Sequence, residues 1–343
     1  MEQRGRAGAP SPRFHRDLEQ RRAELDLEID GIVVKLDDLA GRARLGATAR
    51  YPRWALAWKF APRGSEAVVQ DLRFQIGRSG VLTPVAVLSP VELGGATITR
   101  ATLHSRGELV RRDLRAGDTV RVVRAGDVIP EVVERVVQHG RRRGPPVRLP
   151  RRCPACRTPL VRKGPVDLCP NQIGCPAQLR AALRHLASRR ALDLRGLGPV
   201  AAERLVASEL VKTLSDLFAL RADALRAAGF GSAAADQLAQ AIRRARRTEL
   251  HRFLYALGIP GVGVRVRAAR ALAAHAGTLG ALAAADEDDL RPVVGPATAA
   301  RVTAFFRATS TRRLIARSLE HGVEIVRTGR DRPPPASVAQ HVQ

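Results

Sequence analysis

Four cysteines, which are all the cysteines of the chain, have the spacing of a metal site. Cys153 and Cys156 form a C-x2-C pair, twelve residues follow, and Cys169 and Cys175 then form a C-x5-C pair. Four thiolates on tight turns are the ligand set of a structural zinc ion, with no position left open for catalysis. Two disulfides are the alternative, which a cytoplasmic protein disfavours. We therefore expect zinc to hold together a loop too small for its own core.

Lysine is rare in this chain, and two of its lysines end apolar, strand-like segments. Of 58 basic side chains only Lys35, Lys59, Lys163 and Lys212 are lysine, and the rest are arginine. In "GIVVKL" and "WALAWKF", strand alternation places only glycine, valine and alanine on the face that carries Lys35 or Lys59. Such a face suits a flat ligand whose phosphate contacts a compact ammonium group. Edge-strand lysines that block aggregation are the alternative.

A unit of apolar residue, glycine, apolar residue, glycine and then a helix recurs in the second half of the chain. The clearest copy is "LDLRGLGPVAAERLV" (192–206), and the others are "LRAAGFGSAAADQLAQAI" (225–242) and "LYALGIPGVGVRVRAARAL" (254–272). A fourth segment, "LRPVVGPATAARVTAFF" (290–306), is degenerate and keeps only Gly295. The pattern is typical of a repeated helix-hairpin-helix.

These glycines suit backbone contact with phosphate. Glycine allows close approach, and the second glycine opens a helix whose free N–H groups and positive dipole end point outward. Such a cradle binds phosphates and reads no bases. A plain helical bundle with glycine caps is the alternative, but three copies with one offset favour duplex DNA. The candidate contacts are Gly196, Gly198, Gly229, Gly231, Gly261 and Gly263.

Charge supports a polyanionic partner. The chain of 343 residues has a formal net charge of +25, and aromatic residues are only 3% of it. Few aromatic residues argue against a stacking platform for single strands, so the expectation is duplex DNA bound through its phosphates. With 45% hydrophobic residues, no apolar run near the ~20 residues of a membrane span and no signal-peptide pattern, we expect a cytoplasmic monomer with no membrane partner.

The composition changes along the chain in a way that predicts a multidomain α+β protein. Short β-branched segments separated by glycine turns predict a small barrel, and an alanine-rich region with a helical pattern follows the cysteines. The tail lacks core-forming residues and is expected to be disordered. The predicted domains are residues 1–62, 63–140 (barrel), 141–180 (linker and zinc module), 181–325 (helical) and 326–343 (tail).

These parts, in this order, resemble bacterial NAD-dependent DNA ligases from about residue 10 to residue 325. "EIDGIVVKLDDL" is similar to nucleotidyltransferase motif IV, and "GATARYPRWALAWKF" to motif V with its lead-in. "FQIGRSGVLTPVAVLSPV", "ATLH" and "RAGDVIPEVV" are similar to the family's OB-fold. The resemblance implies a C-terminal piece of the adenylation domain, an OB-fold barrel, a four-cysteine zinc module and a helix-hairpin-helix domain.

The resemblance also implies function. The family uses NAD, with magnesium or manganese for catalysis, to seal nicks in duplex DNA through an enzyme adenylate and a DNA adenylate, in replication and repair. Lys35 and Lys59 are then nucleotide contacts, and Arg78, His104 and Arg124 of the barrel are candidate DNA contacts.

The sequence departs from the family where catalysis begins. It contains no Lys-x-Asp-Gly, the motif whose lysine becomes adenylated, so no catalytic residue is assigned. Ser105 stands where the family has asparagine. The upstream nucleotide-binding residues and the C-terminal BRCT domain are missing as well, which predicts an N-terminally truncated ligase. A separate N-terminal ligase polypeptide is the partner that would supply the missing part.

Two other interpretations remain. One is a non-catalytic, sequence-independent DNA-binding remnant of a ligase. The other is an unrelated helix-hairpin-helix repair protein, which residues 28–60 disfavour.

Overall fold

The chain forms two compact units in the computed structural model. The structure describes residues 12–26, 29–48, 51–60, 64–93, 95–125, 129–136 and 143–326. The first unit consists of the described residues within 1–75 and 83–149, and the second of those within 76–82 and 150–343. The predicted disordered tail lies outside the described residues, except for its first residue, Val326. No helix in the described ranges is both long and apolar enough to cross a bilayer.

The first unit begins with the segment that carries both lysines. Strands β1 and β2 pair antiparallel, with Gly31 opposite Lys59 and Lys35 opposite Ala55. Helix α2 lies between them in the chain. Its N-cap residue is Asp38, whose carboxylate accepts hydrogen bonds from two backbone N–H groups of the first turn. The elements are α1 (Pro12–Gln20), a 3-10 turn (Arg21–Glu24), β1 (Gly31–Lys35), α2 (Leu39–Leu45) and β2 (Ala55–Lys59).

A closed five-stranded barrel follows, as the short strands predict. The strand order around the barrel is β3-β4-β5-β7-β6, and β5 and β7 are parallel. Apolar residues alternate along the strands and fill the interior, among them Val69, Leu88 and Val120. The elements are β3 (Gly64–Ile76), β4 (Leu82–Glu92), β5 (Thr97–Thr102), α3 (Arg106–Arg112), β6 (Thr119–Ala125) and β7 (Ile129–Val136).

The barrel unit extends further than the predicted boundary at residue 140. The Arg143 guanidinium bonds to both carboxylate oxygens of buried Asp118, at 2.6 and 3.1 Å. The Gly144 N–H donates to the carbonyl oxygen of Ala116 at 2.7 Å, and Val147 and Leu149 pack on the barrel core. The basic, proline-containing segment was expected to be a linker, but its described part, 143–149, is a strap on the barrel.

The second unit contains the cysteines and one continuous helical core. Helix α4 begins directly at Cys175, so the metal module and the helical region share an element across the predicted boundary at residue 180. The first elements of this unit are β8 (Val161–Lys163), β9 (Val166–Leu168), a 3-10 turn (Gln172–Gly174), α4 (Pro176–Leu186), α5 (Pro199–Ala207), α6 (Asp216–Ala219), α7 (Ala222–Ala227) and α8 (Ser232–Arg246).

The chain continues with α9 (Leu250–Ala256), α10 (Val266–Ala276), α11 (Leu279–Ala284), α12 (Glu287–Val294), α13 (Pro296–Arg307) and α14 (Thr309–Glu320). A parallel pair of short strands, β10 (Arg247–Glu249) and β11 (Glu324–Val326), joins the middle of this region to its end. The local pattern did not predict this pair, because each strand has only three residues. Leucine and alanine form most of the core, and Phe218 and Phe253 are its largest fully buried side chains.

One prediction concerns the start of α3. The Ser105 hydroxyl accepts a hydrogen bond from the Glu108 N–H at 3.3 Å and so caps the helix. Asparagine is an equally good N-cap. Ser105→Ala should therefore lower the free energy of unfolding of the barrel by about 1 kcal/mol, while Ser105→Asn should leave it nearly unchanged. Urea denaturation of both variants measures this, and equal losses would contradict the capping role.

Candidate metal centre and nucleic-acid interface

The four cysteines converge, as their spacing predicts. Their sulfur atoms all lie within 4.8 Å of one another. The Cys153 and Cys175 sulfurs are 3.8 Å apart, and those of Cys156 and Cys169 are 3.5 Å apart. A tetrahedral zinc ion with Zn–S bonds of about 2.3 Å separates its sulfurs by about 3.8 Å. No two of these sulfurs are at the ~2.05 Å of a disulfide bond, so the geometry fits zinc and not two disulfides.

Tight turns present these sulfurs. In the first pair the Cys153 N–H donates to the Thr158 carbonyl at 2.8 Å, and Arg157 has a positive φ of 63°. In the second, Gln172 has a φ of 46° and Cys175 caps the N-terminus of α4. A helix N-terminus stabilises a thiolate. The sequence identified these turns only indirectly, through the flanking proline and glycine residues.

The thiols differ in their ease of deprotonation. Burial works to raise the pKa of Cys156, but hydrogen bonds with Thr158 and Asn171 outweigh it and lower that pKa to about 6. Burial raises the pKa of Cys169 to about 12 and also raises that of Cys175. A metal ion that binds here must displace protons from the buried thiols.

The first two hairpins present their glycines as the sequence predicts. Gly196 and Gly229 have positive φ angles of 93° and 82°. Gly198 and Gly231 are the N-cap residues of α5 and α8. All four are exposed, and a Cβ added at Gly198, Gly229 or Gly231 would meet no atom within 4 Å. Each of these two hairpins therefore offers an open helix N-terminus, which is an anion-binding arrangement.

The third hairpin differs from the first two. Gly261 has a positive φ of 86°, but Gly263 is buried and opens no helix, because α10 begins at Val266. A Cβ at Gly263 would lie 2.5 Å from the Gly258 Cα atom. Packing inside the protein therefore explains the glycine at 263, although the repeat predicted a ligand contact there.

The fourth hairpin is more regular than its sequence. Gly295 has a φ of 80° and is the N-cap residue of α13, with Pro296 in the first turn. A Cβ at Gly295 would meet no atom within 4 Å. This residue belongs with Gly198 and Gly231 by geometry. The single retained glycine is the only signal of this helix start in the sequence.

The barrel residues predicted to contact DNA lie in three different settings. His104, in a left-handed conformation with φ of 58°, forms an ion pair or hydrogen bond with Glu131 through Nε2. Arg124 lies in β6, and its side chain is outside the described residues. Arg78 belongs to the second unit, where its guanidinium donates to the Gly263 carbonyl oxygen at 3.4 Å.

Lys35 and Lys59 share one face of the β1–β2 sheet, as alternation and the pairing register require. Lys59 lies opposite Gly31 and Lys35 lies opposite Ala55, so the lysines occupy opposite ends of the sheet. Four residues along a strand separate them by roughly 13 Å. A Cβ at Gly31 would lie 2.5 Å from the Trp58 carbonyl oxygen, which explains the glycine by the close approach of the two strands.

Asp30 is a neighbour of Lys59 that the sequence pattern did not identify. Its carboxylate forms a salt bridge with the Lys59 ammonium group. The hydrogen bond from Lys59 lowers the pKa of Asp30, so the carboxylate stays ionised. The nearest signal in the sequence was the position of Asp30 directly before Gly31.

Comparison with known proteins agrees with this geometry. Residues 12–63 match the NAD-dependent DNA ligase adenylation domain, and residues 66–144 match the NAD-dependent DNA ligase OB-fold domain. Residues 188–244 match a SAM-like helix-hairpin-helix tandem, and residues 252–315 match a helix-hairpin-helix motif. The tandem contains the first two hairpins, and the motif contains the third and fourth.

Curated relatives carry the name DNA ligase. The protein of Syntrophotalea carbinolica is 44% identical over 314 residues, which are 90% of this chain and 46% of that protein. Those of Salinibacter ruber and Halorubrum lacusprofundi are 43% and 45% identical over 91% and 88% of this chain. The chain spans about half the length of these relatives, 46% and 42% for the last two. The resemblance drawn from the motifs is confirmed.

The metal centre gives a direct prediction. The purified chain should hold about one zinc ion with all-sulfur coordination, and Cys156→Ser should lose it because three thiolates bind zinc far more weakly than four. Elemental analysis measures the zinc content. Lys163→Ala, at an exposed position of β8 in the same module, is the control and should keep the metal. Zinc-free wild-type protein, or two disulfides in freshly purified protein, would contradict the prediction.

Proposed function

We propose that this chain, which is related to NAD-dependent DNA ligases over nine-tenths of its length, is the DNA-gripping part of such a ligase. Its helix-hairpin-helix units hold duplex DNA through phosphates, and its barrel binds beside a nick. The chain acts as a monomer in the cytoplasm, where DNA and reduced thiols are found together. Zinc maintains the structure, and magnesium or manganese serves catalysis.

One observation carries the DNA-binding part of this proposal. Gly198 and Gly231 each begin a helix at an exposed position with no protein atom near the site of a missing Cβ. The first N–H groups of a helix lack partners within the helix, and the dipole favours an anion there. Two such helix ends in one tandem suit two phosphates. Because backbone groups make the contacts, binding is independent of base sequence.

The nucleotide half of the proposal rests on the lysine face. Lys35 and Lys59 would contact the bound nucleotide, and the small residues between them leave room for a flat base or sugar. NAD supplies the adenylyl group when it is bound. Asp30 holds the Lys59 ammonium group at the edge of this face, so that the charge stays in place without a ligand.

A non-catalytic role is the second candidate, and one observation favours it. The chain contains no Lys-x-Asp-Gly sequence, so it lacks the lysine that ligases of this family adenylate. Duplex binding by the hairpins does not depend on that lysine. A second polypeptide carrying the missing motif would restore the enzyme, and without it the chain would act as a DNA-binding protein only.

Salt dependence tests the phosphate contacts. Affinity for a duplex should fall steeply with salt, roughly 10³-fold between 50 and 200 mM if about six phosphates are neutralised. Fluorescence anisotropy with nicked, intact and single-stranded probes measures this. The nicked duplex should bind best and the single strand worst. Equal affinity at both salt concentrations, or a strong preference for one base sequence, would contradict the phosphate cradle.

Glycine substitution tests the hairpins. Gly198→Val combined with Gly231→Val should weaken duplex binding about tenfold, or about 1.4 kcal/mol, because the methyl groups occupy the space where phosphates approach. An added Cβ meets no atom within 4 Å at either glycine, so the fold should remain intact. Gly280→Val is the control, since Gly280 is also exposed and uncrowded but belongs to none of the four hairpins. An equal loss of duplex affinity in the double variant and in the control would show that the hairpins do not contact DNA.

Adenylation tests the catalytic half. Incubation with NAD and magnesium should give no covalent adenylate on this chain, because the nucleophilic lysine is not among its four lysines. Intact-mass measurement decides this. Adding a polypeptide with the N-terminal part of a ligase should restore sealing, and Lys59→Ala should then abolish it. A gain of one adenylate on the isolated chain would contradict this prediction, because it would show that the chain contains a nucleophile of its own.

A further inference from the structure

The turn between β3 and β4 contacts the metal module. The Cys169 N–H donates to the Gly80 carbonyl oxygen at 2.8 Å, and Val81 forms an antiparallel bridge with Leu168. The buried Gln178 side chain donates to the Cys169 carbonyl oxygen at 3.0 Å. A zinc ligand is therefore held on both sides of its backbone, by the turn and by helix α4.

Gly80 is needed at this contact for steric reasons. Its φ is +81°, and an added Cβ would lie 2.6 Å from the Cys169 carbonyl oxygen and 3.1 Å from Gln178 Oε1. Any side chain at 80 would push the turn away from Cys169. The turn is tight, since the Gly80 N–H donates to Gly77 at 2.9 Å and the Gly77 N–H to Val81 at 3.0 Å.

Arg78 extends from the same turn to the third hairpin. It donates to the Gly263 carbonyl oxygen at 3.4 Å, and its Nη1 atom occupies the space where a Cβ of Gly258 would stand. Among the described residues it has no carboxylate partner. Arg78 is half-buried, and this burial lowers its pKa. The arginine fills a pocket that the glycines 258 and 263 create.

We infer that the turn Gly77–Val81 couples the four-cysteine centre to the loop of the third hairpin, with Arg78 as the positioning residue. The metal fixes Cys169, the Cys169 backbone fixes Gly80, and the rigid turn then holds Arg78 against Gly263. Zinc thereby orders a loop far from the cysteines in the sequence. This coupling rests on the proposed function only for its effect on DNA, because the ordering of the loop itself needs no DNA.

Hydrogen exchange of the DNA-free full chain tests the coupling. The Val262 and Gly263 N–H groups both donate to the Ile259 carbonyl oxygen, at 2.9 and 2.8 Å, and report on the loop. Zinc removal should speed exchange in residues 257–265 roughly tenfold, which is about 1.4 kcal/mol of local stability. The second hairpin, residues 226–232, is the internal reference and should change little. Unchanged exchange in 257–265 would overturn the coupling.

Gly80→Asn distinguishes the coupling through the turn from an effect of losing the metal. Asparagine tolerates positive φ, so the variant tests the contact with Cys169. It should retain zinc and still speed exchange in 257–265. Gly164→Asn is the matched control, because Gly164 has a φ of +59° in the same metal module but no neighbour within 4 Å. Equal exchange in the two variants would show that Gly80 transmits nothing.

Arg78→Met tests the other end, with Arg73→Met as a control on an exposed arginine of β3. Only the first should speed exchange in 257–265, with zinc content unchanged. Duplex affinity should fall in Arg78→Met and Gly80→Asn together. If Arg78→Met weakens DNA binding without altering hydrogen exchange in 257–265, Arg78 is a direct DNA contact and the proposed coupling is wrong. If no variant or wild type binds DNA, the proposed function fails while the exchange result still decides the coupling.

Discussion

Four thiolates whose sulfurs lie within 4.8 Å of one another repel strongly, so each sulfur needs a proton or a metal ion to neutralise its charge. A zinc ion would do this at the separations between the sulfurs seen here. The helical core is tied to this site, because Cys175 is the N-cap residue of α4, and α4 places Leu179 and Leu183 in that core. A metal ion bound by the cysteines would therefore hold the first helix of the helical region as well as its own loop.

Glycine serves two opposite purposes in the hairpins. At Gly198, Gly231 and Gly295 the missing side chain leaves open space at a helix N-terminus, so the backbone is available to a phosphate. At Gly258 and Gly263 the space is filled by the protein, including the Arg78 guanidinium. The four hairpins share a local pattern but are not equivalent. The fourth matches the sequence pattern least well, yet its Gly295 is more open than Gly263 of the third.

In the proposed function, the lysine face and the hairpins would bind phosphate in a similar way. Both rely on small residues that keep side chains out of the way, and on a positive group at the edge. At the lysine face that group is the Lys59 ammonium, which lies on a flexible stem and pairs with Asp30 when no ligand is bound. At the hairpins it is the dipole of a helix that cannot move independently of its fold. A mobile charge suits a phosphate in transfer, and a fixed one suits a phosphate that is only held.

The sequence by itself determined the order of the barrel, the cysteine module and the helical region, the convergence of the four cysteines and the glycine-opened helices, because composition, alternation and residue spacing are local signals. Cys153 to Cys175 lie in one short segment, and strand alternation fixed the shared face of Lys35 and Lys59 once β1 and β2 paired. Only the tertiary structure decided the burial of Gly263, the contact of Gly80 with Cys169 and the inward position of Arg78. Residues 78 and 263 are 185 positions apart, so no local pattern contains their contact. Contacts between distant segments leave no periodic pattern in the sequence, so only the folded structure identifies them.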